Sequence, residues 1–205
     1  MQIPTPEQAW AYLMDAAERN PGPWVEHSRV AAEAARAIAA HHPALDPKVA
    51  YVMGLLHDIG RREGRSDMRH VVDGYAFLHD KGMDDVARIC LTHSFPVPDV
   101  RAAAGQWDSS AAERGFVQDY LSATEYTAYD RLIQLCDALA LPSGCCLMEK
   151  RLVDVVLRYG PNDFTVAKWN AFFDIQREFD QALGRSIYCV LPGIVQGTFG
   201  CDPRC

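Results

Sequence analysis

The 205-residue sequence predicts an all-α, single-domain helical bundle. Three observations carry that prediction. Apolar residues recur at helical spacing in one segment after another, most of them bounded by capping residues, proline or glycine. No stretch alternates long enough to demand a sheet. No internal repeat, low-complexity tract or shift in composition marks a second domain. A chain of this length buries a sizeable core without disulfides. The expected organisation is a core over residues 24–141, C-terminal helices at 149–183 packed on it, and an irregular tail at 184–205.

Taken in order, Thr5-Pro6-Glu7 reads as an N-cap, a proline at the first helical position and an acidic first turn. Trp10, Leu13, Met14 and Ala17 then form a stripe that ends near Asn20-Pro21-Gly22-Pro23. From Trp24 to about His42, an alanine-rich stripe through Val30, Ala31, Ala34, Ala35 and Ile38 suits close helix packing. Asp46-Pro47 opens a third helix that is apolar nearly all round, hence central, with Gly60 expected as its C-cap. Further helices are expected at 67–81, 84–92, 124–141, 149–159 and 166–183. Phe95 to Asp108, with two prolines, a glycine and Trp107, reads as a long connection, a candidate lid over a site.

Composition narrows the function classes. A net charge of −7 argues against a protein that binds nucleic acid mainly by neutralising its phosphates, so no large nucleic-acid surface is expected. No early apolar run has the flanks of a signal peptide, and no unbroken apolar stretch reaches the length of a membrane span. The chain therefore reads as cytoplasmic. Seven cysteines without regular spacing suit reduced thiols, mostly buried, with Cys201 and Cys205 in a loose tail. Oligomeric state is open, a homodimer being the commonest outcome for a soluble chain.

The feature that decides the reading is Leu55-Leu56-His57-Asp58-Ile59-Gly60, an imidazole and a carboxylate side by side at the end of an apolar helix. Burying both is costly without a partner, and a divalent cation accepts both ligand types. Two ligands do not hold a metal. His27 opens the second helix, and Asp137 lies within the apolar run Leu132 to Leu141, where a lone carboxylate is hard to solvate. The competing readings are a satisfied core hydrogen-bond network for His57, Asp58 and Asp137, which is the weaker one there, a solvated residue at a helix start for His70, and a helix-end cap for His93. His41, His42 and His79 read as surface residues.

A His, then a His-Asp pair, then a distant Asp on separate helices resembles the HD superfamily, here His27, His57-Asp58 and Asp137, and His-Asp-Ile-Gly-Arg is a common form of its central motif. The resemblance spans roughly His27 to Leu141 and implies an HD-type helical bundle. His70 and His93 fall where binuclear members carry two further histidines. By that resemblance one divalent transition metal, Fe, Mn, Ni, Co or Zn, binds at His27, His57, Asp58 and Asp137. Asp58 would bridge to a second ion held by His70 and His93.

The resemblance implies a metal-dependent phosphohydrolase acting on a phosphomonoester or phosphodiester of a nucleotide or related small metabolite. Hydroxide generated at the metal would be the nucleophile, making Asp58 and Arg61 the catalytic residues. Arg61, Arg62 and Arg65 are the candidates for binding the substrate phosphate, Arg61 foremost, although arginines after a helix also complement its dipole. Two alternatives stay open: a di-iron oxygenase using the same six ligands, and a non-catalytic nucleotide-sensing module.

Overall fold

A computed structural model describes residues 2–201. Among these the chain is mainly helical: α1 (Pro6–Arg19), α2 (Pro23–Ala39), α3 (Pro47–Leu56), α4 (Arg69–His79), α5 (Asp84–Thr92), α6 (Ala111–Ala123), α7 (Ala128–Asp137), α8 (Met148–Tyr159), α9 (Thr165–Leu183) and α10 (Ile194–Phe199). Short 3-10 turns cover Ile59–Glu63, Val100–Ala102 and Ile187–Cys189. The only strands among the described residues are β1 (Ala140–Leu141) and β2 (Gly144–Cys145), paired antiparallel with Ala140 opposite Cys145.

The caps act as the residues dictate. Thr5 and Gln8 form a capping box on α1, and the Asp46 side chain accepts from the Lys48 and Val49 amides to start α3. The alanine stripe of α2 lets it lie against α3 at Gly54, where an added Cβ would come within 2.5 Å of Ala32 Cα. Such close contact sets α2 and α3 as the central pair. Val30, Ala34, Ile38, Leu132, Leu135, Phe172 and Phe179 join α2, α7 and α9 in the largest apolar cluster, and a second cluster gathers α1, α3, α4 and α5. No helix among the described residues is long and apolar enough to cross a membrane.

Several expectations are corrected. Gly60 is not a C-cap with positive φ: α3 ends at Leu56, and Gly60 sits in the following 3-10 turn. Its lack of a side chain serves close approach instead, because a Cβ there would fall 2.0 Å from His70 O and 2.4 Å from Gly74 N. The expected helix at 124–141 is shorter, since the backbone leaves α7 after Asp137 and turns into the hairpin. Helix α6 lies where the sequence pattern predicts none, and the 184–205 segment holds α10, whose Gly197 packs directly on Cys145 O. Of the cysteines, 90, 136, 145 and 146 are buried and 189 and 201 exposed, while Cys205 lies outside the described residues.

Candidate metal centre

Six side chains from five places in the chain converge, five of them lining one cavity and His57 fully buried beside them. His27 comes from the first turns of α2, His57 and Asp58 from the end of α3, His70 from α4, His93 from the end of α5 and Asp137 from the end of α7. His57 is fully buried, and His27, Asp58, His70 and His93 are at most 7 % exposed. Asp137 is more open, its side chain 23 % exposed.

The four histidines share one arrangement. His57 Nδ1 faces Gly54 O at 2.7 Å, His93 Nδ1 faces Ile89 O at 3.1 Å, and His27 Nδ1 faces Ala140 O at 3.2 Å. His70 Nδ1 is bonded to Asp67 O. A carbonyl only accepts, so each Nδ1 carries the proton and donates it, which leaves each Nε2 as a lone pair turned inward. The hairpin thus has a task in the site, because β1 supplies the carbonyl that orients His27.

These lone pairs face one another and the carboxylates. His27 and His57 Nε2 are 3.3 Å apart, and Asp137 Oδ1 lies 3.0 Å from His27 Nε2. Asp58 Oδ1 lies 3.1 Å from His70 Nε2 and 3.5 Å from His93 Nε2, which are themselves 3.5 Å apart. The result is two ligand triads, His27-His57-Asp58 and Asp58-His70-His93, that share Asp58. Asp137 joins the first through His27. Imidazole nitrogens and carboxylates crowded at this range suit a divalent transition cation, so the residues present fit the metal that the resemblance implies.

The electrostatics agree. Burial drives His57 down to about 4, so the ring is neutral near pH 7, and burial followed by the nearby Arg61 charge lowers His70 as well. Burial alone would raise Asp58, but above all the Arg61 guanidinium holds it well below the usual carboxylate range. Burial would likewise raise Asp137, but a proton on His27 Nε2, or a cation in its place, together with Arg151 holds that carboxyl low.

The three arginines after the His-Asp pair go different ways. Arg61 lines the cavity, donating from Nε to Asp58 Oδ2 at 2.7 Å and from Nη1 to Ser66 O at 3.1 Å. Arg62 does not line it: its Nη2 meets Asp15 Oδ2 at 2.8 Å and its guanidinium lies 3.9 Å from the Phe77 ring centre. Arg65 is exposed and also away from the cavity. The substrate-binding expectation is therefore corrected for Arg62 and Arg65. A 3-10 turn advances about 120° per residue, so neighbouring side chains diverge.

Residues 24–141, more than half of the chain and the stretch that supplies all six of these side chains, match the HD domain family. The chain belongs to the HD domain family. No curated protein and no solved structure shows significant similarity to it.

In this HD domain the Phe95–Asp108 connection lines the cavity through Ala102 and Ala104, while Trp107, expected over the mouth, packs elsewhere. Trp107 stacks on buried Phe95 and donates to Val100 O at 2.9 Å, clear of the cavity. Asp108 accepts from the Asp67 and Arg69 amides, both at 2.7 Å, and so steadies the turn whose carbonyl orients His70. The cavity, about 470 Å³, is walled further by α8 and α9, which lie beyond the family match. Sequence reasoning misses their contribution, above all Arg151 and Lys168. A signal exists: Lys168 shares a helical stripe with Phe172, Ile175 and Phe179, an ammonium where an apolar residue belongs.

Proposed function

We propose that this HD domain is a metal-dependent phosphohydrolase acting on a small phosphorylated metabolite, with two divalent ions in the paired triads. The observation that carries the reading is the uniform orientation of four imidazoles, each fixed through Nδ1 to a backbone carbonyl and each presenting Nε2 toward Asp58 or Asp137. His27, His57, Asp58 and Asp137 would hold the first ion, and Asp58, His70 and His93 the second. When bound, such ions supply an acidified water and Lewis acidity toward phosphoryl oxygens.

The chain's own residues do the rest. Arg61 neutralises the Asp58 oxygen that the triads leave aside, and its Nη2, which takes part in neither bond, would serve a phosphate oxygen. The α8–α9 wall narrows the cavity and limits bulk water. The cavity volume suits a compact ester and not a polymer.

The test is elemental analysis of the purified chain followed by a phosphoester screen with the native metal, beside Asp58→Asn. Close to two ions per chain and turnover are expected for the parent. The variant should lose most of its metal and at least about 100-fold in activity, because an inner ligand matters more than its outer supports. Full metal loading and turnover in Asp58→Asn would sink the reading. Oxygen consumption by the iron-loaded chain without phosphoester turnover would assign the site to oxygenase chemistry instead.

A further inference from the structure

Two cationic side chains on the wall of the cavity are left short of partners. Lys168, on α9, lines the cavity, and Nζ has a single hydrogen-bond acceptor, Ala102 O at 3.3 Å. Among the described residues no carboxylate lies within 4.0 Å of it. An ammonium has three donors, so two find no acceptor in the protein. Burial lowers Lys168 to about 8, with Asp137 opposing and Arg151 reinforcing that shift, which places the amine in the charge field of both.

Arg151, on α8, lines the same cavity. Its Nη1 pairs with Asp154 Oδ2 at 3.1 Å and its Nη2 stands 3.8 Å from Asp137 Oδ1, while its buried Nε has no acceptor. The two cations come from different helices, and both are separate from Arg61, which is committed to Asp58. A largely enclosed cation with unfilled donors is expensive unless a ligand brings the acceptors. The rest of this wall is mixed: Leu152, Val155, Trp169 and Phe172 are apolar, and the one carboxylate, Asp154, is shared between Arg151 and Arg158.

We propose that Lys168 and Arg151 form an anion subsite on the α8–α9 wall, which selects substrates carrying a second acidic group, a carboxylate or phosphate, beside the phosphate that reacts. This rests on the phosphohydrolase reading for the identity of the reacting group. The subsite itself lies wholly outside the segment matched to the family, so specificity is set by the two helices appended to the HD core.

The experiment is calorimetric binding of two non-hydrolysable probes to the metal-loaded full chain: methylphosphonate, and phosphonoacetate, which adds one carboxylate. One charge-assisted contact predicts that phosphonoacetate binds roughly tenfold or more tightly than methylphosphonate. In Lys168→Met, which keeps the unbranched stem, the two probes should bind alike, with metal content unchanged. Lys168→Gln gives the same reading should the methionine variant fail to fold. A preference that survives in the Lys168 variant would place the carboxylate elsewhere, on the metal for instance, and overturn the proposal. Equal weakening of both probes would put Lys168 on the shared phosphonate and also overturn it, as would no preference in the parent. A Lys168-dependent preference in a chain that hydrolyses no phosphoester would sink the hydrolase reading and leave the subsite standing.

Discussion

Helix α7 carries a buried or half-buried carboxylate at each end, and the two ends live by opposite rules. At the start, Asp130 is fully buried and receives Arg88 Nη2 at 2.6 Å, Thr92 Oγ1, Thr127 Oγ1 and the Thr127 amide each at 2.7 Å, with Arg88 Nε at 3.0 Å. At the end, Asp137 meets the imidazole cluster, where lone pairs face lone pairs. Helix α5 serves both, since Thr92 donates to Asp130 while its neighbour His93 turns to Asp58. A carboxylate whose every acceptor site is filled by the chain's own donors is a structural brace. Acceptors that face one another are incomplete until a proton or a metal cation lies between them, and one metal cation serves several at once.

The sharpest test of that contrast is to break the brace. Asp130→Ala strands the Arg88 guanidinium and the Thr92 hydroxyl, and should cost ~2–4 kcal/mol in chemical denaturation. Metal content per folded chain should stay as in the parent, and added metal should raise Tm in the parent and in Asp130→Ala but not in Asp58→Asn. Loss of metal from Asp130→Ala would dissolve the distinction between the two ends. The brace also has a pH signature. Burial raises Asp130, but the hydrogen bonds from Arg88, Thr127 and Thr92 outweigh it and hold the folded carboxyl below its ordinary value. A depressed folded-state pKa contributes stability above the unfolded value of about 3.9 and loses it as pH falls through and below that value. The stability gap between the parent and Asp130→Asn should therefore be full near neutrality and shrink below about pH 4.

A smaller effect is expected from joining packing to the site. The Cβ of Gly60→Ala would meet backbone atoms of His70 and Gly74, which cannot turn aside as a flexible side chain could. The 3-10 turn and α4 must separate, at ~1–3 kcal/mol. Because His70 rides on the displaced backbone, the triad Asp58-His70-His93 should suffer more than its partner. Elemental analysis should fall from two ions toward one, with thermal melting only moderately lowered; a full complement of metal would show that α4 is free to shift without moving its ligand.

How much of this is legible in the sequence follows from where information is local. Helices α1, α3, α5, α8 and α9 start within a residue or two of expectation, because Thr5, Asp46 and the helical stripes act over one or two turns. Helix α6 escapes a reading by apolar stripes since it buries only Val117 and Leu121, although the Ser110-Glu113 capping box marks its start. The run through Leu141 reads as one helix, and only packing decides that the chain turns after Asp137. The site divides in the same way. Asp58 and Asp137 stand out as charges among apolar neighbours, whereas Asp130, the better buried, hides behind a capping role. Arg151 and Lys168 become visible only once α8 and α9 wall the cavity, a contact between distant parts of the chain.

The mildest change contrasts two adjacent arginines across the same 3-10 turn. Arg61 belongs to the incomplete cluster through Asp58, and its loss should raise KM roughly tenfold or more while leaving metal content close to the parent's. Arg62 belongs to the braced part of the molecule: its side chain is 6 % exposed, lies over Phe77 and reaches Asp15, which is itself 59 % exposed and well solvated. Arg62→Met keeps most of the apolar stem and forfeits a cation–π contact and a half-exposed ion pair, together ~1 kcal/mol. Its kinetics should match the parent within error, with only a small drop in Tm. A KM that rises in Arg62→Met as it does in Arg61→Ala would mean that the turn moves as a unit, so that the two arginines could no longer be assigned to separate regions.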